Sequence, residues 1–313
     1  MKKKVLIIGS QGYLGSRLSE YLRDKGYLCS AIDTGFFKRG NLTSPDSIYT
    51  IKKDARLVDE NDLKGFDVVI LLAGISNDPF GNMSSEQIYD PTRDYAISIA
   101  KICKKLEIQF IYPSSCSVYG AANNDFLSEV SPTNPQTPYS VNKLQVEEGL
   151  NSLADSSFSP IALRFGTVYG LSSRIRFDVV INMLCGLALT TNRVTLNSNG
   201  EAWRPHLHIE DACESFRCCI DWNPDLSKLI ILNVGQNIDN FKVIDIAKII
   251  HSNVDKSELT YLTGNKDLDG NDLVKDRKIQ DGVDKRSYKV SFDKIHSLLP
   301  NFKCNWTVET GIR

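Results

Sequence analysis

Near its start the chain reads Val5-Leu6-Ile7-Ile8-Gly9-Ser10-Gln11-Gly12-Tyr13-Leu14-Gly15. The first four of these residues form a continuous apolar run with β-branched members, which is typical of a strand buried on both faces. The glycines that follow predict a tight turn. After the turn, Leu14, Leu18 and Leu22 recur at helical spacing until Gly26. A buried strand, a glycine turn and an amphipathic helix form the first unit of an alternating α/β fold.

Strands and helices continue to alternate along the first half of the chain. The sequence predicts strands at residues 27–33, 66–73 and 109–114, and a helix with an apolar face over 97–106. Alternating βαβ units imply a parallel sheet covered by helices on both faces. We therefore predict an α/β fold of the Rossmann type, with a doubly wound parallel sheet in residues 1–170 to which later segments return.

The second half is less regular. Residues 161–169 are predicted to form one more strand, and residues 243–250 a helix opened by Asp239 or Asn240. Residues 264–287 are polar and interrupted by glycines, which predicts a solvated loop. No repeat and no Pro- or Ser-rich linker separates the two halves. We therefore predict a smaller C-terminal lobe, mainly residues 171–313, built into the first domain.

Composition excludes several classes of protein. The 313 residues are 42% hydrophobic and 24% charged, as in an ordinary globular protein. A formal charge of −1, from 37 basic and 38 acidic residues, provides no broad basic field for a nucleic acid or an anionic membrane. Only four apolar residues precede Gly9, too few for a signal peptide, and no other run reaches transmembrane length. We therefore predict a cytoplasmic protein.

The eight cysteines show no Cys-x-x-Cys pair and no zinc-finger spacing to histidine. Without a secretory signal, they are predicted to be reduced and mostly buried. His206 and His208 would share one face of a strand, but no carboxylate-rich motif accompanies them. No metal site is predicted.

The glycine spacing, G-x-x-G-x-x-G, is one residue longer in its first gap than the G-x-G-x-x-G fingerprint of dinucleotide-binding proteins. Both patterns let the backbone approach a pyrophosphate and aim helix N–H groups at it. Asp33 lies 18 residues after Gly15, where a carboxylate accepts hydrogen bonds from the adenosine ribose and repels a 2′-phosphate. This favours NAD. Lys38 and Arg39, close by in sequence, keep NADP as the alternative.

Tyr-x-x-x-Lys places a phenol and an ammonium one helical turn apart, so that the positive charge favours the phenolate and prepares it to accept a proton. The pattern occurs three times, so spacing alone is uninformative. The three pairs are Tyr21 with Lys25, Tyr49 with Lys53, and Tyr139 with Lys143. Only the third begins a predicted helix directly after a helix-entry sequence, Pro135-Gln136-Thr137-Pro138.

Upstream of Tyr139, the predicted strand 109–114 ends in Ser114-Ser115-Cys116-Ser117-Val118-Tyr119-Gly120. Open α/β sheets bind ligands at the carboxyl ends of their strands. A serine at this end could therefore hydrogen-bond a substrate hydroxyl while Tyr139 takes its proton.

These elements, in this order, resemble an extended short-chain dehydrogenase/reductase. Within that group, the chain resembles the NAD-dependent nucleotide-sugar epimerase/dehydratase family over almost its whole length. The resemblance implies that residues 1–170 bind NAD and that the C-terminal lobe binds a nucleotide-diphosphate sugar. It also implies a homodimer formed through helices near residues 92–106 and 138–153.

The resemblance further implies individual roles. Tyr139 would be the base, Lys143 would hold the nicotinamide ribose and lower the pKa of Tyr139, and Ser115 would orient the sugar hydroxyl. The implied NAD-binding residues are Gly9, Gly12, Tyr13, Leu14, Gly15, Asp33, Asp54, Ala55, Leu72, Ala73, Gly74, Tyr139, Lys143 and Phe165. The implied substrate-binding residues are Ser115, Cys116, Ser117, Thr167, Asn182, Arg204 and Arg286. Arg204 and Arg286 would bind the diphosphate, and Asn182 would cap the site.

Three departures from the family pattern affect the expected reaction. Family dehydratases carry Asp-Glu where this chain has Cys116 and Ser117, which disfavours elimination of water. Thr167 stands in place of a family Asn, and Thr92 replaces another Asn beside the cofactor. Residues 172–178 and 284–288 resemble bacterial enzymes that oxidise or reduce C4 of activated sugars, including nucleotide heptoses.

The sequence thus favours NAD-dependent redox chemistry at C4 of a nucleotide sugar, in the biosynthesis of surface-polysaccharide sugars. An epimerase and a net dehydrogenase or reductase use the same residues, so the sequence separates them poorly, and the altered region around Thr167 favours the net dehydrogenase or reductase. The alternative from another class is a non-catalytic, NAD-binding regulatory protein on the same fold. The nucleotide base and the sugar are not specified by the sequence.

Overall fold

The structure, a computed structural model, describes residues 2–43, 48–76, 85–122, 125–222, 224, 227–261 and 286–313. The strands are β1 (Lys4–Ile8), β2 (Leu28–Asp33), β3 (Tyr49–Lys52), β4 (Val68–Leu71), β5 (Gln109–Ser115), β6 (Phe126–Leu127), β7 (Ile161–Phe165), β8 (Thr167–Tyr169), β9 (Arg193–Leu196), β10 (Trp203–His208), β11 (Ile230–Val234), β12 (Asn240–Lys242), β13 (Glu258–Tyr261) and β14 (Lys289–Val290). The α-helices are α1 (Tyr13–Asp24), α2 (Glu60–Leu63), α3 (Ser85–Ile88), α4 (Asp90–Lys105), α5 (Pro138–Leu153), α6 (Val180–Thr191), α7 (Ile209–Asp221), α8 (Val243–Asn253), α9 (Asp293–Leu298) and α10 (Val308–Ile312).

Seven parallel strands form the main sheet in the order β11-β7-β5-β4-β1-β2-β3. This confirms the predicted Rossmann-type parallel sheet. The strand order reverses between β1 and β4, and the crevice outside the carboxyl ends of strands at such a reversal is where open α/β sheets bind ligands. The glycine loop leaves β1 at this crevice.

Alternate residues of β1 enter different cores. Val5 and Ile7 pack with the helices α1 and α7 on one face of the sheet. Leu6 and Ile8 pack with α4 and α5 on the other face. All four side chains are buried, as the continuous apolar run predicted for a strand covered on both sides.

The predicted single strand at 161–169 is wrong. The chain divides at Gly166 into β7, which belongs to the main sheet, and β8, which pairs with β10 in a second sheet of order β12-β10-β8. A Cβ at Gly166 would lie 2.7 Å from the carbonyl oxygen of Pro205, so only glycine permits this close approach of the two strands. The break carries the chain from the main sheet into the second sheet.

The helix predicted at 243–250 is present as α8, but its start differs from the prediction. The residue that precedes it is Lys242, not Asp239 or Asn240. The carboxylate of Asp239 instead accepts a hydrogen bond from the backbone N–H of Val308, at 3.0 Å, and so anchors the start of α10. Helix α8 packs with α6 and β9 in a third core that contains Leu184, Val194 and Ile246.

Some predictions fall outside the described residues. They include Asp284, Lys285, most of the polar segment 264–287 and the side chain of Arg39. Among the described residues, no helix is both long enough and apolar enough to cross a membrane. In the same part of the chain, no three His, Cys, Asp or Glu side chains are grouped to hold a metal ion. The eight cysteines are unpaired, five of them buried and three half-buried.

Candidate active site

The glycine loop connects β1 to α1 with unusually close backbone contacts. Gly9 has φ +98°, and a Cβ there would clash with the backbone nitrogen of Ala73. A Cβ at Gly15 would clash with the carbonyl oxygen of Gly9. At Gly12 the nearest atom would be 3.6 Å away, an ordinary contact. Packing within the protein therefore requires Gly9 and Gly15, whereas Gly12 leaves open space in front of the N-terminus of α1.

Two polar side chains in this loop are buried without partners. Ser10 and Gln11 are 2% and 4% exposed, and the Ser10 hydroxyl and the Gln11 side-chain oxygen have no hydrogen-bond partner among the described residues. The first turn of α1 also lacks a side-chain cap. Buried polar groups normally find partners, and a helix N-terminus attracts phosphate. The loop thus fits the pyrophosphate of a dinucleotide.

Asp33 lies at the end of β2, beside the glycine loop. One oxygen of its carboxylate accepts a hydrogen bond from the Gln11 N–H at 2.9 Å, and the other accepts from the Gly35 N–H at 2.8 Å. These bonds fix the carboxylate at the position where the fingerprint places the ribose-binding acid.

The other residues expected at the cofactor follow neighbouring strands. Ala73 comes after β4, next to Gly9, and its carbonyl accepts a hydrogen bond from the Tyr95 hydroxyl at 2.9 Å. Asp54 caps a short 3₁₀ turn and pairs with Arg56, whose hydrogen bond lowers the pKa of Asp54. The remaining residues predicted to bind NAD lie on the neighbouring elements. Tyr13 and Leu14 begin α1, Ala55 is buried in the second core, Leu72 and Gly74 flank Ala73, and Phe165 lies beside Ser115 in β7. Their individual contacts with the cofactor stay predictions.

Tyr139 stands in the first turn of α5. The helix begins with Pro138 after a capping box between Thr137 and Ser140, as its entry sequence predicted. One turn later, the Lys143 Nζ lies 5.6 Å from the centroid of the Tyr139 ring. Helix geometry therefore holds the ammonium group beneath the phenol.

Lys143 also reaches the strand that carries the serines. Its Nζ donates a hydrogen bond of 2.6 Å to the carbonyl oxygen of Pro113 in β5, two residues before Ser115. Burial lowers the pKa of Lys143 to about 7, and the nearby carboxylate of Glu147 partly opposes this shift. The charge of Lys143 therefore changes near neutral pH in the ligand-free protein.

Ser115 ends β5, and Cys116 and Ser117 begin the 3₁₀ turn Cys116–Tyr119 that follows it; their three side chains have different surroundings. The Ser115 Oγ accepts a hydrogen bond from the Ser117 N–H at 3.1 Å and stays half-buried at the strand end. The Ser117 Oγ is buried and has no partner among the described residues. The Cys116 side chain is fully buried in the first core, where its thiol donates to the carbonyl of Arg164. Cys116 thus does not offer its side chain to a substrate, contrary to expectation.

The two arginines expected at the diphosphate are brought together. The Arg204 guanidinium donates hydrogen bonds to the backbone carbonyls of Arg286 and of Trp203, the latter at 2.8 Å. Its central carbon lies 5.5 Å from the centroid of the Tyr288 ring. Positions 204 and 286 are 82 residues apart in sequence, and this hydrogen bond brings the two segments together.

The sequence matches one known protein family over most of its length. Residues 5–235 match the NAD dependent epimerase/dehydratase family. The chain belongs to that family. NAD is therefore its cofactor, as the glycine loop and Asp33 predicted.

Individual relatives agree with the family. The uncharacterized UDP-glucose epimerase YtcB of Bacillus subtilis (strain 168) is 28% identical over 264 residues, covering 79% of this chain and 82% of that protein. TunA, an NAD-dependent NDP-hexosamine 5,6-dehydratase of tunicamycin biosynthesis, has a similar structure, with TM-score 0.82 and 21% identity over 100% of this chain and 96% of that one. UDP-glucuronic acid 4-epimerase from Bacillus cereus, solved with UDP-glucuronic acid and NAD, gives TM-score 0.77 and 22% identity, covering 99% and 96%. At these identities the structural matches establish the fold.

The remaining substrate-site predictions concern Thr167 and Asn182. Thr167 lies in β8, opposite His206 of β10. The Asn182 amide is bonded to backbone groups, accepting from the Gly170 N–H at 3.0 Å and donating to the Arg176 carbonyl at 2.9 Å. Asn182 thus fixes the segment that leads into α6, and its contact with substrate stays a prediction.

The sequence analysis missed a buried ion pair below the active site. Glu147 and Arg164 are joined by two hydrogen bonds of 2.6 and 2.9 Å, and both side chains are 3% exposed. Ser114 donates to the same carboxylate, and Arg164 donates to the Tyr119 hydroxyl at 2.9 Å. The pair locks α5 against β5 and β7. The position of Glu147, one turn after Lys143, was the available signal.

A second missed residue is Arg176. Its guanidinium is held by Asp178 through hydrogen bonds of 2.9 and 2.6 Å. Burial opposes its charge, but these bonds and the neighbouring phenol of Tyr139 raise the pKa of Arg176. A permanent cation therefore accompanies Tyr139 in addition to Lys143. In the sequence, residues 172–178 were identified only by their resemblance to enzymes that act at C4, and no role was predicted for Arg176.

Proposed function

We propose that this protein catalyses NAD-dependent redox modification at C4 of a nucleotide-activated sugar. The observation that carries the proposal is the joining of Tyr139, Lys143 and Ser115 through α5 and β5. They lie at the carboxyl edge of the sheet that also presents the glycine loop. The family name and the relatives named as sugar-nucleotide epimerases support the same chemistry.

In the proposed mechanism, Tyr139 takes the proton of the C4 hydroxyl. The cations nearby, Lys143 and Arg176, favour the phenolate by Coulomb attraction. The half-buried hydroxyl of Ser115 orients the reacting hydroxyl, and the unpartnered Ser117 Oγ is available to a neighbouring sugar hydroxyl. When bound, NAD supplies the acceptor for the hydride that leaves C4.

The second lobe would bind the diphosphate of the substrate. Arg204 and Arg286 approach each other there, and a planar guanidinium suits phosphate oxygens better than an ammonium does. The proposal is a nucleotide-diphosphate sugar without commitment to the base. A role in surface-polysaccharide biosynthesis, a cytoplasmic location and a homodimer remain predictions from the sequence.

The end of β5 argues against dehydration. Burial raises the pKa of the Cys116 thiol far above neutrality, and Ser117 is a hydroxyl. Neither side chain can protonate a leaving hydroxyl group as a carboxylic acid would. The proposed reaction is therefore an epimerisation or a net oxidation or reduction. TunA, a dehydratase, has the same fold, but a shared fold does not supply the carboxylic acid that positions 116 and 117 of this chain lack.

Mass spectrometry of the products tests the proposal. The purified protein is incubated with NAD and a panel of nucleotide sugars and nucleotide heptoses, alongside the Tyr139→Phe variant. A product of unchanged mass and altered retention identifies an epimerase, and a product lighter by two hydrogens with accumulating NADH identifies a dehydrogenase. A product lighter by one water contradicts the argument against dehydration. Equal turnover by the Tyr139→Phe variant contradicts the mechanism.

A further inference from the structure

Two segments from different halves of the chain meet beside the glycine loop. Residues 40–43 follow β2, and residues 170–174 join β8 to α6; we call these two segments together the clasp. The Leu42 N–H donates a hydrogen bond of 2.7 Å to the Ser173 carbonyl. The hydroxyls of Thr43 and Ser173 are 2.6 Å apart and hydrogen-bonded. A backbone hydrogen bond and a side-chain hydrogen bond thus join the two segments of the clasp at Ser173.

The clasp is also bonded to the first turns of α1. The Tyr13 hydroxyl donates to the Gly170 carbonyl at 2.9 Å. The Ser172 hydroxyl lies 2.6 Å from the Tyr13 carbonyl and 2.7 Å from the Ser16 hydroxyl, within hydrogen-bonding distance of both. Tyr13 and Ser16 lie at the N-terminal end of α1, and Gly170 and Ser172 contact them there. The pyrophosphate of a dinucleotide binds at such a helix end. The second lobe therefore reaches across the edge of the cofactor site.

One polar group in the clasp has no partner. Both the nitrogen and the oxygen of the Asn41 side-chain amide are buried, and neither has a hydrogen-bond partner among the described residues. The flanking residues are held in place, since the Gly40 carbonyl accepts from Arg174 and Leu42 binds Ser173. A buried amide with both atoms unpaired is costly, unless a ligand satisfies it.

We propose that the clasp closes over the adenosine end of bound NAD, that the Asn41 amide hydrogen-bonds to it there, and that the clasp opens for NAD to leave. The position supports this, because residues 40–43 continue from the ribose-binding Asp33 and residues 170–174 cover the start of α1. The hydrogen bonds between the two halves then oppose release of the cofactor.

Retention of NAD also bears on the reaction, a point that rests on the proposed function. A cofactor that stays bound through many turnovers ends each cycle in the redox state in which it began. The two electrons taken from the sugar must then return to the sugar, so the product has the oxidation state of the substrate. Retention by the clasp favours an epimerase over a net dehydrogenase.

The test is the rate at which NAD dissociates from the purified holoenzyme after dilution, measured without any sugar. The double variant Thr43→Val with Ser173→Ala removes the hydroxyl pair and also the hydrogen bond of 3.2 Å from Ser173 to the Glu20 carboxylate of α1, and Asn41→Ala independently removes the amide. Asn41→Ala is expected to release NAD about tenfold faster, the effect of one lost hydrogen bond, and the double variant at least as fast. The matched control is Thr190→Val, because the Thr190 hydroxyl bonds only within α6, to Gly186, and should leave the rate unchanged.

Wild-type dissociation rates in both clasp variants, with Tm and circular dichroism showing an intact fold, would overturn the proposal. If the double variant does not fold, Asn41→Ala alone decides. A failed clasp and a failed sugar reaction are distinguishable, because dissociation of NAD is measured without any sugar, whereas the product panel shows by itself whether a nucleotide sugar is converted.

Discussion

Two Tyr-x-x-x-Lys pairs in this protein share a local geometry and differ in everything around it. In α1 the Lys25 Nζ lies 5.4 Å from the centroid of the Tyr21 ring, and in α5 the Lys143 Nζ lies 5.6 Å from that of Tyr139. The spacing thus produces the same contact in both helices. It does not by itself produce an active site.

The difference lies in the surroundings of each pair. The Tyr21 hydroxyl donates to the Glu214 carboxylate at 2.7 Å, and burial together with this carboxylate raises the pKa of Tyr21. Lys25 is exposed, near the end of α1 that points away from the ligand edge of the sheet. Tyr139 instead begins its helix at that edge, above a half-buried Lys143. Position in the fold decides which phenol can act as a base.

The largest expected effect is that of Tyr139→Phe on turnover. Loss of a positioned general base lowers kcat by about 10²–10⁴-fold, whereas NAD should remain bound. The measurement is kcat on the substrate found in the panel, with bound NAD quantified by absorbance. Tyr21→Phe is the matched control and should keep near-wild-type kcat, since the Tyr21 hydroxyl donates to Glu214, away from the ligand edge of the sheet. Comparable losses in both variants would refute the assignment.

The next effect is on the free energy of unfolding, and it comes from the buried ion pair of Glu147 with Arg164. Glu147→Gln leaves the buried Arg164 without its countercharge, which costs about 3–5 kcal/mol of unfolding free energy. Urea denaturation followed by circular dichroism measures it. As a control, Glu60→Gln breaks the exposed pair with Lys105 and should change stability little. An unchanged urea midpoint for Glu147→Gln would show that the ion pair is not holding α5 to the sheet.

The smallest effect is the contribution of Lys143 to the pH dependence of stability. Its pKa is about 7 in the folded, ligand-free protein and 10.5 in the unfolded chain, so the unfolded chain binds more protons between these values. Stability should therefore rise with pH in this range, by about 2 kcal/mol between pH 7 and 9 from this group. Lys143→Met should flatten the rise in Tm or urea midpoint, and Lys25→Met should not. Parallel slopes for wild type and Lys143→Met would contradict the burial of this ammonium.

The first domain could be predicted from the sequence because its signals are local. An apolar run, a glycine turn and a helical repeat each occupy a few consecutive residues, and together they specified β1, the loop and α1. Helix α5 was predicted in the same way, from Pro138 and the residues before it. The family resemblance then supplied the order of the elements.

Contacts between distant residues could not be predicted. The break at Gly166 depends on the approach of Pro205, and the burial of Cys116 depends on the position of Arg164. The partnership of Glu147 with Arg164 joins a helix to a strand and leaves no periodic signal. Tertiary proximity decides these features, and one sequence does not encode it in any local pattern.

The most direct test of the central claim is the fate of deuterium placed at C4 of whichever nucleotide sugar the protein converts. We predict that the deuterium leaves C4 as deuteride and passes to the nicotinamide of the cofactor. It is then recovered at C4 of an epimerised product or on the reduced nicotinamide, and in neither case in the water. Deuterium that stays on C4 in its original configuration throughout turnover, or that exchanges into the solvent, would contradict redox chemistry at C4 with Tyr139 as the base.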